Sequence, residues 1–197
     1  MLKLEARSTA LILVDVQNGT LAQPLTPNSR ETVIANSVAL ANGLSRAGGT
    51  LVLVRVSFSS GYSDRPRGET DVPMILPEGG LPAEWSTFPP EIAALSPDVL
   101  ITKRQWSAFF GTELDLQLRR RGIDTVVIGG LMTNFGVEST ARDAWQLNYA
   151  TLVAQDAASS LGDGLHDFAV SRTLPRVARI RSTSEILAAL AARSSPE

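Results

Sequence analysis

The chain has 197 residues, of which 44% are hydrophobic and 19% charged, with a formal net charge of -2. This balance is typical of a globular protein, and it lacks the basic excess expected of a general nucleic-acid binder. With no cysteine and a single histidine, His166, the sequence excludes disulfides, thiolate metal sites, cysteine nucleophiles and multi-histidine metal sites.

No apolar run in the sequence approaches the roughly 20 residues that a membrane span needs. Residues 1–7 alternate in charge and lack the apolar segment of a signal peptide. We therefore expect a cytoplasmic protein without membrane association. The length predicts a single domain over residues 1–197.

Six short runs rich in Val, Ile and Leu predict strands. They show little alternation between apolar and polar residues, which is typical of parallel strands buried on both faces of a sheet. The predicted strands cover residues 9–15, 50–56, 98–102, 124–129, 150–155 and 176–180.

Helical patterns lie between these strands. The first ends at Gly48 and Gly49, which favour a helix end, and the second has Thr112 as a candidate N-cap residue. Alternating strands and helices imply right-handed crossovers. The sequence therefore predicts an α/β fold, a three-layer doubly wound (Rossmann-like) sheet of about six parallel strands flanked by helices. The predicted helices cover residues 29–47, 112–121, 136–147, 165–174 and 184–193.

Residues 57–90 interrupt the alternation with a long segment that contains six of the eleven prolines. A loop of this length in a compact domain is usually functional or disordered. We interpret it as a lid or side wall over a site, with a solvated surface insertion as the alternative. Trp85 in this segment is a candidate to close over the site or to cover a partner subunit.

Candidate site residues follow three of the predicted strands. In open parallel sheets the active site lies beyond the carboxyl ends of the strands, near the switch in strand order. The first strand ends at Asp15, in DVQN, and the third runs into Lys103, in TKRQWSAFFGT. The fourth runs into GGLMTNFGVESTARDAW, a glycine-rich turn that enters a helix at Gly136. Asp15 or Lys103 alone would more often have a structural role. The two residues together with the glycine-rich turn predict a functional pocket.

These three segments resemble the isochorismatase-like (cysteine hydrolase) superfamily, and TNFGVESTARDAW is the most specific part of the resemblance. Many members use an Asp-Lys-Cys triad, which the resemblance assigns to Asp15, Lys103 and the position of Gly136. The resemblance also implies a cis peptide bond between Leu131 and Met132, with the N–H groups of Met132 and Gly136 as an oxyanion hole. It further implies a homodimer or homotetramer.

Glycine at position 136 makes a covalent acyl-enzyme at that residue impossible. Isochorismatases also lack the cysteine, and the resemblance to them implies that Asp15 protonates a vinyl ether carbon before water adds. Alternatively, Asp15 acts as a general base on water in the space that the thiol would fill, which suits an ester or amide. Lys103 lowers the pKa of Asp15 whereas burial raises it, so both roles stay open.

Neighbouring side chains are candidate substrate contacts, because an arginine offers a carboxylate-binding fork and aromatic rings form an apolar wall. We predict a hydrolase of a small, anionic vinyl ether, ester or amide that uses neither a metal ion nor an organic cofactor. The alternative is a catalytically inactive small-molecule-binding protein on the same scaffold. The candidate substrate-binding residues are Gln17, Arg104, Trp106, Phe110, Met132 and Phe135.

Four polar residues near the turn are interpreted first as structural. Glu138 and Arg142 are four residues apart, which predicts an ion pair that supports the helix. Asn134 is a candidate to hydrogen-bond the turn. His166 is interpreted as a helix-end or interface residue that is able to reach the rim of the site.

Overall fold

The computed structural model describes residues 2–191, and within them seven strands form one mixed sheet. The sheet order is β2-β6-β5-β1-β3-β4, and β7 also pairs with β6. All of these pairs are parallel except β2 with β6. The strands are β1 (Thr9–Val14), β2 (Leu25–Thr26), β3 (Thr50–Val56), β4 (Val99–Lys103), β5 (Thr125–Leu131), β6 (Ala150–Leu161) and β7 (Arg179–Arg181).

Helices cover both faces of the sheet, which confirms the predicted α/β class. Among residues 2–191, none of the helices combines the length and the apolarity that crossing a bilayer requires. The α-helices are α1 (Asn18–Leu21), α2 (Arg30–Arg46), α3 (Pro90–Ala93), α4 (Leu114–Arg120), α5 (Glu138–Gln146), α6 (Leu165–Phe168) and α7 (Thr183–Ala191). Tighter 3₁₀ turns cover Ala6–Ser8, Ser60–Tyr62 and Leu174–Arg176, and wider π turns cover Thr133–Val137 and Ala169–Thr173.

Strand β1 lies at the centre of the sheet, and all of its residues are buried. Leu11 and Leu13 belong to the apolar cluster under α2 and α7, whereas Ile12 and Val14 belong to the cluster under α4 and α5. Alternate side chains of one strand therefore enter two cores. This double burial explains why the sequence shows an unbroken apolar run here rather than alternation.

Helix α2 has the limits that its sequence predicts. The Ser29 side chain accepts a hydrogen bond from the Thr32 N–H at 3.3 Å, so it caps the first turn. At the other end Gly48 adopts a φ of 84°, a left-handed conformation that glycine enters without a side-chain penalty. The helix therefore stops where the two glycines predict.

Strand β6 is longer than its predicted range of 150–155, and β2 was not predicted. Residues 156–161 lack the apolar run of a buried strand, but neighbouring residues pair with them. Leu25 pairs with Leu161 in the antiparallel β2–β6 ladder. The Asn28 side chain donates to the carbonyls of Gln155 at 3.1 Å and Ala158 at 2.7 Å. A two-residue strand such as β2 is too short for a periodic signal.

Other boundaries differ because wider or tighter turns replace regular helix. The predicted helix over 136–147 begins as a π turn at Thr133, and the one over 165–174 divides into α6 and a second π turn. The 3₁₀ turn Leu174–Arg176 occupies the start of the strand predicted over 176–180, so β7 begins only at Arg179. The last predicted helix, 184–193, begins at Thr183, and residues 192 and 193 lie outside the described residues.

The order of the strands places the site. From β1 the chain adds β3 and β4 on one side, and it then returns to add β5 and β6 on the other side. The connections after β1 and β5 therefore diverge at the carboxyl edge of the sheet, which opens a crevice there. Asp15 follows β1, and the turn that contains Gly136 follows β5.

Candidate active site

Asp15 and Lys103 form a buried ion pair at the carboxyl edge of the sheet. Lys103 is the last residue of β4, and its Nζ lies 2.6 Å from Asp15 Oδ2. The side chains are only 2% and 7% exposed, respectively. Lys103 Nζ also donates to the Gln105 carbonyl at 3.0 Å. The fold thus brings together two charges that the sequence places at the ends of separate strands.

The backbone at Asp15 turns sharply away from the sheet. Its φ is 53°, in the left-handed region that Asp enters more readily than most residues. Its N–H donates to the Val54 carbonyl at 2.9 Å, and its own carbonyl accepts from the Thr20 hydroxyl at 2.5 Å. These two bonds hold the backbone of Asp15. Its carboxylate Oδ1 is buried and has no hydrogen-bond partner among residues 2–191.

Burial raises the pKa of Asp15 from 3.8 to about 6, because removal from water penalises the charged form. The Lys103 ammonium opposes this effect and lowers the pKa. The Val56 N–H also lowers it, although that group donates its hydrogen bond to Gln17 Oε1 at 2.8 Å. A carboxyl group with a pKa raised in this direction is closer to the range that suits general acid–base catalysis than an exposed aspartate is.

Gly136 lies in the π turn beside this carboxylate. A Cβ atom added at residue 136 would lie 3.5 Å from Asp15 Oδ2, which agrees with the predicted proximity. The same atom would lie only 2.8 Å from the Leu131 carbonyl oxygen and 3.2 Å from Val14 Cγ1. A side chain at residue 136 would therefore meet the backbone of Leu131, and the residue lies in a π turn that precedes α5.

Thr140 ties the turn to the segment after β4. Its hydroxyl donates to the Gly136 carbonyl at 2.6 Å and accepts from the Ala108 N–H at 3.0 Å. Thr140 is fully buried. One side chain therefore couples the backbone at Gly136 to the loop that begins at Lys103.

A second pair of contacts holds the other side of the turn. The peptide bond between Leu131 and Met132 is cis, as the resemblance implies. Beyond it, the Thr133 hydroxyl lies 2.8 Å from His166 Nδ1, and Ser160 donates to Asn134 Oδ1. His166 is buried, and that burial lowers its pKa. His166 thus packs behind the turn rather than on an exposed rim.

A cavity of about 590 Å³ opens above the ion pair and is lined by Asp15, Lys103 and Gly136. Four of the predicted substrate contacts also line it, and the Trp106 and Phe135 rings lie 4.9 Å apart at its wall. The long segment contributes apolar side chains to the opposite wall, as the side-wall interpretation expects. The predicted contacts that line the cavity are Arg104, Trp106, Met132 and Phe135, and the long segment adds Phe58, Met74, Leu81 and Trp85.

Two predicted contacts lie outside the cavity lining. Gln17 is fully buried, and its amide donates to the carbonyls of Val56 at 3.0 Å and Trp85 at 3.2 Å. Gln17 therefore connects the end of β3 to the long segment, a structural role that its position near Asp15 in the sequence did not indicate. Phe110 is 66% exposed and does not line the cavity.

Arg104 lines the cavity but carries an acidic partner. Its Nε donates to Asp64 Oδ2 at 2.5 Å, and both side chains are about one-third exposed, 37% and 31%. The Ser59 N–H and the Arg104 guanidinium lower the pKa of Asp64 to about 2. Arg104 therefore remains positioned at the cavity by an ionised carboxylate of the long segment, which sequence spacing did not reveal.

The helix after the turn carries the predicted ion pair, with Arg142 Nη2 2.6 Å from Glu138 Oε1. Glu138 Oε2 also accepts from the Thr173 hydroxyl at 2.9 Å. Within residues 2–191, no three His, Asp or Glu side chains lie close enough together to hold a metal ion.

The family model that describes the isochorismatase domain matches residues 9–185. The chain is 43% identical over 190 residues to the uncharacterised isochorismatase family protein YecD of Escherichia coli, covering 96% of this chain and 100% of the relative. It is 30% identical over 187 residues to the ureidoacrylate amidohydrolase RutB of Stutzerimonas stutzeri, covering 82% of this chain and 73% of the relative.

A solved structure also matches. An isochorismatase family protein from Burkholderia thailandensis superposes with a TM-score of 0.90 at 37% identity, covering 97% of this chain and 99% of that chain.

Proposed function

This chain belongs to the isochorismatase family of hydrolases, and from that premise we propose that it hydrolyses a small anionic enol ether by acid–base catalysis without a covalent intermediate. The observation that carries the proposal is the Asp15 carboxyl group. One of its oxygens is held by Lys103, while Oδ1 is buried at the cavity and has no partner among residues 2–191.

Gly136 supports a route that needs no side-chain nucleophile. The chain has no cysteine, and a Cβ at residue 136 would lie only 2.8 Å from the Leu131 carbonyl oxygen. In the proposed route water is the nucleophile. A proton donor that activates the substrate carbon is then the group the site has to supply, and the pKa of about 6 at Asp15 allows it to donate.

The proposed reaction begins when protonated Asp15 transfers its proton from Oδ1 to the terminal carbon of the enol ether. The double bond becomes a C–H bond, and the oxygen-bearing carbon becomes an oxocarbenium ion. Water adds to that carbon and returns a proton to Asp15. The resulting hemiketal collapses to a ketone and an alcohol, so one water is consumed and the enzyme is regenerated.

Lys103 and Arg104 support an anionic substrate. Lys103 neutralises the Asp15 carboxylate that each proton transfer leaves behind, at a distance of 2.6 Å. Arg104 lines the same cavity, and a guanidinium binds a carboxylate through two N–H donors. The Trp106 and Phe135 rings supply the apolar wall for the body of the substrate.

The direct test is hydrolysis of 2-phenoxyacrylate, an anionic enol ether that yields pyruvate and phenol. We expect release of both products in equal amounts, and we expect Asp15→Asn to reduce kcat at least about a thousandfold because it removes the proton donor. Arg104→Gln should instead raise KM, with Arg142→Gln on α5 as the matched control. Hydrolysis of phenyl acetate or phenylacetamide but not 2-phenoxyacrylate would assign Asp15 as a base and overturn the proposal.

Binding of 2-phenoxyacrylate without any product would also overturn it. That result would favour a binding protein on the same scaffold. Product analysis by mass spectrometry separates the two results, because a binding protein returns the ligand unchanged.

A further inference from the structure

A second cavity of about 570 Å³ lies beside the one above Asp15, and its lining comes entirely from the long segment. Three side chains, Phe58, Leu81 and Trp85, line both cavities and therefore form the wall between them. We call the cavity above Asp15 the inner cavity and the second one the outer cavity.

The two cavities differ in chemistry. The inner cavity is lined by two cationic side chains, Lys103 and Arg104, against one carboxyl group, Asp15, beside an extensive apolar lining. The outer cavity is lined by several serine residues and by Tyr62. Glu78 is the charged residue in its lining. An anionic group therefore favours the inner cavity, while a carboxylate in the outer cavity would face Glu78.

The Trp85 indole in this wall packs closely against Gly19. A Cβ atom added at Gly19 would lie 2.1 Å from Trp85 Nε1, 2.2 Å from its Cδ1 and 2.4 Å from its Cε2. The indole ring thus packs directly on the Gly19 backbone, in a position that any side chain at residue 19 would occupy. Gly19 has no positive φ that would require glycine, so the ring contact is the feature that excludes a side chain.

The backbone of Trp85 is anchored to the same helix. Its carbonyl accepts hydrogen bonds from the Gly19 N–H at 2.9 Å and from Gln17 Nε2 at 3.2 Å. These bonds use main-chain atoms of Trp85, so removing the indole leaves them in place. The ring therefore lies on Gly19, four residues after Asp15 in the sequence, and it cannot swing away without breaking that contact.

We infer that Trp85, seated on Gly19, is a specificity-determining residue that limits the length of substrate the inner cavity accepts. The inference rests on the proposed function, because the substrate's anionic group is placed at Lys103 and Arg104. With that end fixed, the apolar body extends toward the shared wall. Trp85 blocks the passage of a longer body into the outer cavity.

The test uses equilibrium binding of phenylacetate, 4-phenylbutyrate, 6-phenylhexanoate and 8-phenyloctanoate, measured by calorimetry, so it needs no turnover. In the wild-type protein we expect affinity to rise with chain length and then to fall once the ring reaches Trp85. In Trp85→Ala we expect the fall to disappear, with the longest acid bound at least about tenfold more tightly than by the wild type, because its methylenes reach space beyond the wall.

Trp145→Ala is the matched control, since Trp145 lies on α5, is 55% exposed and lines neither cavity. It should keep the wild-type dependence on length. The same length limit in Trp85→Ala and wild type, with phenylacetate bound by both, would overturn the inference while leaving the proposed function intact. If phenylacetate binds to neither protein, the anion site itself fails and the inference fails with it.

Gly19→Ala gives an independent check. Alone, it should displace the indole and shift the length limit, and it should lower the unfolding midpoint. In the Trp85→Ala background the added methyl group meets no ring, so Gly19→Ala should have no further effect on either quantity. Additive effects of the two substitutions would contradict the proposed seating.

Discussion

Lys103 Nζ contacts one oxygen of the Asp15 carboxyl group, Oδ2, at 2.6 Å, whereas Oδ1 is buried without a hydrogen-bond partner among residues 2–191. The two carboxyl oxygens therefore differ, because one holds the cation and the other is buried without a partner, in a residue that lines the cavity. Because burial outweighs the ammonium, the pKa of the group lies at about 6.

The first prediction concerns the pH dependence of catalysis. If Asp15 donates a proton, the active form is protonated and its population falls about tenfold for each pH unit above about 6. We expect kcat for 2-phenoxyacrylate to be highest below pH 6 and to decline with that slope. Stopped assays from about pH 5 to about pH 9 measure it. An increase in kcat through the same range would show that the carboxylate acts as a base.

The second prediction concerns stability. The folded-state pKa of Asp15 is raised above its model value of 3.8, so its protonated form favours the folded state. The stability that Asp15 contributes is present below pH 3.8 and is lost as the pH rises through about 6. Urea unfolding of the wild type and Asp15→Asn across this range should show a difference that changes with pH between these values and is constant above them. A pH-independent difference would contradict the raised pKa.

The third prediction concerns the cation. Lys103→Met keeps most of the length of the side chain but removes the charge that lowers the pKa of Asp15. We expect the midpoint of the pH–rate profile to move up by about one to three units. Lys3→Met is the matched control, because Lys3 is exposed and lies near the start of the chain. An unchanged midpoint in Lys103→Met would remove Lys103 from the acid–base assignment.

The sequence predicts this ion pair because parallel strands place their carboxyl ends at one edge of the sheet. Asp15 and Lys103 are each found at the end of an apolar run, which predicts the edge of the sheet, and the resemblance to the isochorismatase-like superfamily assigns the two residues to one site. The seat of Trp85 on Gly19 could not be predicted in the same way. It depends on how the long segment returns to α1, and neither residue carries a periodic pattern.

The same distinction explains the candidate contacts. Trp106 and Phe135 follow the ends of β4 and β5 closely, and both line the cavity. Phe110 lies further along the segment after β4 and does not line it. Gln17 follows Asp15 closely but turns its amide toward the backbone of Val56 and Trp85. Proximity in sequence predicts the region of a site, and the direction of each side chain depends on tertiary contacts.

The fourth prediction concerns Gly136. Because a Cβ would lie 2.8 Å from the Leu131 carbonyl oxygen, Gly136→Ala and Gly136→Cys force the turn to shift. We expect each to lower the free energy of unfolding by about 1–3 kcal/mol, as overpacking does, and we expect Gly136→Cys not to gain thiol-dependent hydrolysis. Urea unfolding and an iodoacetamide-sensitive amidase assay measure these outcomes.

Gly68→Ala is the control for this prediction, since a Cβ there meets nothing within 4 Å. It should leave the free energy of unfolding nearly unchanged. A Gly136→Ala variant as stable as Gly68→Ala would show that the turn accommodates a side chain.

The fifth prediction concerns Thr140, which joins the Gly136 carbonyl to the Ala108 N–H. Thr140→Val keeps the shape of the side chain but leaves both buried backbone groups without their partner. A buried polar group left unpaired costs about 1–3 kcal/mol, so we expect the free energy of unfolding to fall by at least that amount. We also expect kcat to fall more than KM changes, because the turn beside Asp15 loses its connection to the loop after Lys103.

Thr70→Val provides the comparison, because Thr70 is exposed and such surface changes stay within about 0.5 kcal/mol. Urea unfolding gives the first quantity, and steady-state hydrolysis of 2-phenoxyacrylate gives the second. Loss of stability with an unchanged kcat would limit Thr140 to the fold. Loss of both stability and kcat would mean that the Thr140 hydroxyl positions the turn against Asp15. The distance between residue 136 and the carboxyl group would then depend on a residue outside the ion pair.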